Sequence, residues 1–214
     1  MKAPLLRTGE ALPVPPRQAR SRQKRKQLMD AARSLFAERG YEAASIGEIT
    51  ARAGTAAGAF YTYFPSKRQL LIVLMNELLA RLSAVDLRPS AGGRVALHNF
   101  LARVFRTDLA YYGVIRAWQE ATLSDPELAA MRNAIEDWTA ARVLRVFQEL
   151  RKHPQSRAKV DLPAFARMMD RHFWSLLARG ASLHRRAFDR EVRVSADIIC
   201  HYLLLDTPPG PSRR

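Results

Sequence analysis

Between Gly40 and Pro65 the chain has room for only two short helices, and this punctuation constrains the fold more than any other feature. "YEAASIGEITARAG", residues 41–54, places Ser45 and Glu48 at capping-box spacing, so Ser45 is the expected N-cap of a helix that Gly54 closes after about two turns. "TAAGAFYTYFPSK", residues 55–67, is uncharged until Lys67, and the spacing predicts a second short helix from about Ala56 to Tyr63. Pro65 stops it, because the residue before a proline avoids the α region. Helices this short cannot bury a core alone, so longer neighbours must support them.

Those neighbours are legible on both sides. A helix from Arg20 to Arg39 carries Leu28, Ala32, Leu35 and Phe36 on one stripe, and Gly40 suits the left-handed residue beyond its end. After Pro65, Ser66 and Gln69 have capping spacing, and "KRQLLIVLMNELLARL" continues a helix to about Ala84. "DLRPSAGG" then breaks the chain, and five more helices are expected near 92–110, 112–122, 126–152, 162–180 and 189–205. Asp125 and Pro126 read as an N-cap followed by a first-turn proline. No strand alternation is evident, so the expected fold class is all-α. The expected divisions are a flexible extension over 1–19, a DNA-binding domain with a bridging helix over 20–86, a helical domain over 87–207 and a tail over 208–214.

Two short helices joined through a glycine turn and backed by a longer one form the outline of a helix-turn-helix, whose second helix enters the major groove. The small side chains of Thr55, Ala57, Gly58 and Ala59 would allow close approach to a duplex. Phe60 and Phe64, four apart, would pack inward, while Tyr61 and Tyr63 would turn their hydroxyls to phosphates. Lys67, at the start of its helix, would hold another phosphate. Charge agrees with a polyanionic partner. The net charge is +15, and residues 1–26 hold eight cations (Lys2, Arg7, Arg17, Arg20, Arg22, Lys24, Arg25, Lys26) against Glu10. Arg20, Arg22 and Lys24 would contact DNA as part of a basic arm over residues 17–26 that enters a minor groove.

The stretch "AARSLFAERGYEAASIGEITARAGTAAGAFYTYFPSKRQLL", residues 31–71, resembles the DNA-binding domain of the TetR family of bacterial transcriptional regulators. The resemblance implies a homodimer with a divergent C-terminal domain that binds a small-molecule effector and dimerises. It implies that Ser45 contacts phosphate as an N-cap, that Thr55, Ala57 and Ala59 face the groove, and that Tyr61, Tyr63 and Lys67 hold the backbone. The chain departs from the family in having no long polar side chain over 57–59. Specificity is therefore expected from Thr55, Tyr61, alanine methyl contacts and DNA shape.

In the second half, Phe105, Tyr112, Trp118, Trp138, Phe147, Met169 and Phe173 would line a pocket for a bulky, largely apolar effector. Arg116 and Glu120, beside Trp118, would either orient a polar group of that effector or pair across a helix turn. The final helix shows two apolar stripes, one of Val192, Ala196, Ile199 and Leu203 and one of Val194, Ile198, His201 and Leu205, which calls for two neighbours. The dimer interface is assigned to Phe165, Met168, His172 and Leu176 with the first stripe.

The remaining classes are disfavoured. The five histidines form no HExxH or close pair, and no nucleophile–base motif or nucleotide fingerprint appears, so no metal, cofactor or enzymatic activity is expected. The single cysteine, Cys200, excludes an intrachain disulfide and fits a cytoplasmic setting as a buried core residue. The first 20 residues lack an apolar core, and the run Leu70–Met75 is too short to span a bilayer, so neither a leader nor a membrane partner is expected. The leading expectation is a ligand-responsive repressor released from a near-palindromic operator by a hydrophobic effector. The alternative is an effector-independent regulator or architectural protein with a filled C-terminal core.

Overall fold

The computed structural model describes residues 2–9, 12–86, 93–109, 111–153, 156–179 and 184–204. Among them are nine helices: α1 (Ala19–Arg39), α2 (Ile46–Arg52), α3 (Ala59–Tyr63), α4 (Lys67–Ala84), α5 (Gly93–Leu109), α6 (Tyr112–Ser124), α7 (Pro126–Leu150), α8 (Leu162–Arg179) and α9 (Arg185–Leu203). Extended pairing among the described residues is limited to a bridge between Ser156 and Leu204. The break at residues 87–92, the tail at 208–214 and Leu205 lie outside the described residues.

The chain forms two compact units. The first comprises residues 1–84 and 108–135, so α6 and the start of α7 belong with the N-terminal helices. α6 packs on α1 and α4, and α2 packs on α1 and α3. The α1–α6 contact is close because Gly113 has no side chain: a β-carbon there would lie 2.3 Å from the Arg33 carbonyl oxygen and 2.7 Å from the Ala37 nitrogen. Two polar ties hold the C-terminal end of α1. Arg116 Nη1 donates to the Ala37 carbonyl at 2.9 Å, and Glu120 accepts the Tyr41 and Glu42 amides at 2.6 and 3.2 Å. Arg116 and Glu120 therefore serve the α1–α2 turn, and their expected role beside an effector or across one helix turn is corrected. Long-range backbone groups had no counterpart in the sequence pattern.

The structure differs from the expected flexible extension. Leu6 is buried, its amide donates to Asn76 Oδ1 at 2.8 Å, and Asn76 Nδ2 donates back to the Leu6 carbonyl at 3.0 Å. Gln69 Nε2 donates to Thr8 Oγ1 at 2.6 Å, and the Gly9 amide donates to Glu127 Oε1 at 3.3 Å. Prolines suit an extended peptide, and α4, apolar around most of its circumference, supplies a surface that such a peptide can cover. The helix expected from Arg20 begins one residue earlier, which leaves little of the basic arm over residues 17–26 extended. α1 already begins at Ala19, so Arg20, Arg22 and Lys24 are helical. Beyond Pro16 the residues are good helix formers with no glycine or proline to hold them extended.

The second unit comprises residues 85–107 and 136–214. Its core joins α5, α7, α8 and α9 through aromatic contacts. Phe105 meets Phe173 and Phe188 edge-on at 5.3 and 5.8 Å, and Phe165 stacks between Phe147 and Tyr202 at 5.1 and 4.1 Å. Cys200 is buried, as expected.

Candidate nucleic-acid interface

Ser45 caps α2 with the reciprocal bonds of a capping box: Ser45 Oγ accepts the Glu48 amide at 3.2 Å, and Glu48 Oε2 accepts the Ser45 amide at 3.0 Å. Ser45 Oγ also donates to Glu48 Oε2 at 2.9 Å, and Glu48 pairs with Arg39. The sequence set up this cap, and the structure spends the hydroxyl on it. Gly54 follows at φ +64°, a conformation other residues rarely adopt.

α3 is shorter than expected. Ala56 to Gly58 form a turn, with the Ala59 amide donating to the Ala56 carbonyl at 2.9 Å, and the α-helix starts only at Ala59. Gly58 explains the loss at one end, since glycine disfavours helix by about 1 kcal/mol, and Pro65 limits the other. Phe60 and Phe64 are fully buried, as their spacing indicates. Their burial turns Ala56, Ala57, Gly58, Tyr61 and Thr62 to the surface as an uncharged edge, with Ala59 half-buried beside it. Tyr61 is 62% exposed, and Tyr63 is half-buried. Thr55 is half-buried, and its hydroxyl donates to the Thr50 carbonyl at 3.4 Å. Thr62 was missed by sequence reasoning; its hydroxyl inside the second short helix was the signal available.

Lys67 departs furthest from its expected role. Its ammonium donates to the carbonyls of Tyr41, Glu42 and Ala44 at 2.7, 3.3 and 3.0 Å and sits 4.4 Å from the centre of the Tyr41 ring. Three N–H groups meet three carbonyls, so the side chain clamps the α1–α2 turn. Burial lowers its pKa, opposed by Glu42 and Glu120. The chain turn ahead of α2 exposes carbonyls with no helical partner, and the nearest cation answers them. α4 is further anchored by Arg68, which forms a fork with Asp125 (2.5 and 3.2 Å) and reaches Glu127 at 2.6 Å. Asp125 also caps α7 through the Glu127 and Leu128 amides, as the Asp-Pro pair suggested.

The expected effector residues divide between the units. Tyr112 and Trp118 lie on α6 in the first unit, where Trp118 is buried. Phe105, Trp138, Phe147, Met169 and Phe173 lie in the second, and all but the half-buried Phe173 are buried. Buried polar groups accompany them. Thr139 donates to Asp170 Oδ2 at 3.0 Å and accepts Trp174 Nε1 at 3.2 Å, and the buried Trp138 Nε1 has no hydrogen-bond partner among the described residues.

Burial raises the Asp170 pKa from 3.8 to about 7, with Thr139 and Arg171 opposing and Glu136 assisting. The folded state therefore keeps a proton that the unfolded chain loses. The stabilisation is fully present below the unfolded value and disappears as pH rises through about 7. Between pH 5 and 8 the second unit is expected to lose about 2 kcal/mol of stability, and Asp170→Asn to flatten that slope. Urea denaturation followed by tryptophan fluorescence at both pH values measures this.

The expected dimer residues require correction. Phe165, Leu176, Val192, Ala196, Ile199 and Leu203 are buried within the protomer itself, and His172 bonds Ser195 Oγ at 2.8 Å. Only Met168 of that set is exposed, at 50%. The exposed large apolar residues of α8 and α9 are Met168, Val194, Ile198 and Tyr202. Periodicity revealed two stripes on α9 of the same spacing, and the one assigned to the interface is the one buried inside the protomer.

Comparison with known proteins agrees with this geometry. Residues 28–74 match the family described as "Bacterial regulatory proteins, tetR family". The chain is 35% identical over 72 residues to the HTH-type transcriptional repressor KstR of Mycobacterium tuberculosis, an alignment spanning 34% of this chain and 33% of KstR. It is 32% identical over 135 residues to the A-factor receptor protein of Streptomyces griseus, spanning 56% of this chain and 49% of the receptor. The chain thus spans at most about half the length of these curated relatives. The solved structure of Salmonella enterica GusR superposes with a TM-score of 0.62 at 23% identity, covering 84% of this chain and 96% of GusR, a likeness of fold.

Proposed function

We propose, from the premise that this chain belongs to the tetR family of bacterial regulatory proteins, that it is a cytoplasmic, ligand-responsive repressor acting as a homodimer on a near-palindromic operator. The observation that carries the reading is the uncharged edge of Ala56, Ala57, Gly58 and Tyr61, exposed because Phe60 and Phe64 are buried behind it. A small-residue edge permits close approach to bases, the exposed Tyr61 and Thr62 hydroxyls reach phosphates or base edges, and the cationic first turns of α1 attract the duplex. Arg20, Arg22 and Lys24 contribute there as helical side chains. Specificity then comes from methyl contacts and DNA shape.

Dimerisation is assigned to the α8–α9 face of Met168, Val194, Ile198 and Tyr202, which presents apolar surface to solvent in the single chain. The effector reading is supported by the aromatic residues of the second unit and by the buried Trp138 N–H, which has no hydrogen-bond partner among the described residues; both suit a largely hydrophobic ligand with an acceptor atom. The relative named A-factor receptor protein is a receptor by name. Induction requires that the effector bind the DNA-incompetent state more tightly than the competent one.

Selection of bound fragments from random duplex DNA, followed by footprinting with and without hydrophobic compounds, tests the proposal. Two protected half-sites about one helical turn apart, lost on adding a compound, are the expected result. Failure to retain any duplex at low salt overturns it. Operator binding that no compound relieves favours the effector-independent alternative, to which the close packing of Phe105, Phe173 and Phe188 would then belong.

A further inference from the structure

In the first unit a cleft of about 800 Å³ runs beside α1 and α4 and carries five cations, Arg22, Arg25, Lys26, Arg33 and Arg81, against two carboxylates, Asp30 and Glu77. Asp30 accepts Lys26 at 2.7 Å and also Arg33. Glu77 lies 3.5 Å from both Arg33 and Arg81, and its buried Oε2 has no hydrogen-bond partner among the described residues, so the cations still outnumber the carboxylates by three. Two guanidiniums have no carboxylate within ion-pair distance among the described residues. Arg22 reaches the Arg17 carbonyl, and among the described residues Arg25 donates to Met29 Sδ at 3.3 Å while lying 5.1 Å from the Phe64 ring centre. Arg22 and Arg25 are three apart on one helix and so share a face, an arrangement of like charges that costs stability. Arg25 is half-buried, its Nε is buried with no hydrogen-bond partner among the described residues, and burial lowers its pKa, with Glu77 opposing at longer range.

We infer that this cleft is a second ligand site, distinct from any effector pocket of the C-terminal helices, and that it takes the phosphate group of a small molecule on the Arg22–Arg25 face. Two guanidinium forks one helical turn apart match the oxygens of a phosphate or diphosphate, which a point-charge lysine pair would not. The half-buried Val73 and the edges of the buried Met29 and Tyr111 line the cleft beside the cations, and the Tyr111 ring is itself held by Arg33 and Arg81 at 5.3 and 5.1 Å. The volume falls in the range of small-molecule sites. The same chemistry could come from a DNA phosphate, but a duplex presents a rigid convex backbone, whereas the cleft is concave. A ligand here would tie α1 to α4 and so act on the helices that support α2 and α3. Arg22 also belongs to the cationic first turns of α1 proposed to attract the duplex, so pyrophosphate binding and duplex binding are read separately in the test.

Thermal unfolding and calorimetric titration of the full chain with inorganic pyrophosphate, at ionic strength held constant with sodium chloride, test it. Saturable binding with a rise in Tm is expected for the unsubstituted protein. Arg25→Gln is expected to weaken binding at least about tenfold. Arg22→Gln, at an exposed position where folding is not at stake, is expected to weaken it severalfold, and Arg25→Lys to restore binding only in part. Equal Tm shifts in the unsubstituted protein and Arg22→Gln, or a shift that chloride reproduces, overturn the proposal. So does a result in which both substitutions weaken duplex binding while pyrophosphate binds none of the proteins, since these arginines would then serve the DNA backbone.

Discussion

Gly113→Ala is expected to lower the unfolding free energy by roughly 3 kcal/mol, a large share of the marginal stability of a natural fold. The added β-carbon would fall 2.3 Å from the Arg33 carbonyl oxygen, 2.7 Å from the Ala37 nitrogen and 2.9 Å from the Ala37 β-carbon. Two of these atoms are backbone of α1, so no rotamer change relieves the clash and the helices must separate. Separation also stretches the Arg116 and Glu120 ties to the end of α1, adding to the direct overpacking cost. Gly58 provides the control. A β-carbon there meets open space and the backbone already has φ −66°, so Gly58→Ala should leave stability unchanged or raise it by up to about 1 kcal/mol. Urea titration of the two variants, followed by circular dichroism, separates them. Equal stabilities would show that α1 and α6 do not meet as closely as described.

Ala57→Glu is expected to reduce operator affinity about 100-fold or more at fixed salt, with little change in Tm. Ala57 is exposed at the turn before α3, so the longer side chain costs the fold almost nothing. On a bound duplex it would hold the edge away from the bases and bring a carboxylate toward phosphates, losing both contact and Coulomb attraction. Fluorescence anisotropy with the selected operator, beside a melting curve, is the measurement. Unchanged affinity in a folded variant would remove the uncharged edge from the interface and leave the Proposed function without its main support.

Much of the site was legible because its signals are local. Gly40 and Gly54 sit at positive φ, Ser45 and Glu48 close the capping box, and Asp125 caps α7 where the Asp-Pro pair placed it. Phe60 and Phe64 face inward because residues four apart share a helix face. Each of these depends on atoms a few residues apart, and each interaction carries over from any surroundings. The recognition helix was overextended at its start because Ala-rich sequence reads as helical, while Gly58 weakens the one turn that had no neighbour to hold it.

The amino-acid sequence alone determined that the chain is helical, which of its helices are closed by a cap or a glycine, and that Phe60 and Phe64 turn inward. Tertiary structure alone decided that Leu6 docks on Asn76, that Lys67 answers carbonyls of the α1–α2 turn in place of phosphate, that α6 joins the first unit, and which stripe of α9 lies inside the protomer. Steric limits on φ and side-chain spacing act along the chain and can be read from it. The choice of partner for a given apolar face or cation is a competition among groups distant in sequence, and only the assembled packing settles which of them arrives.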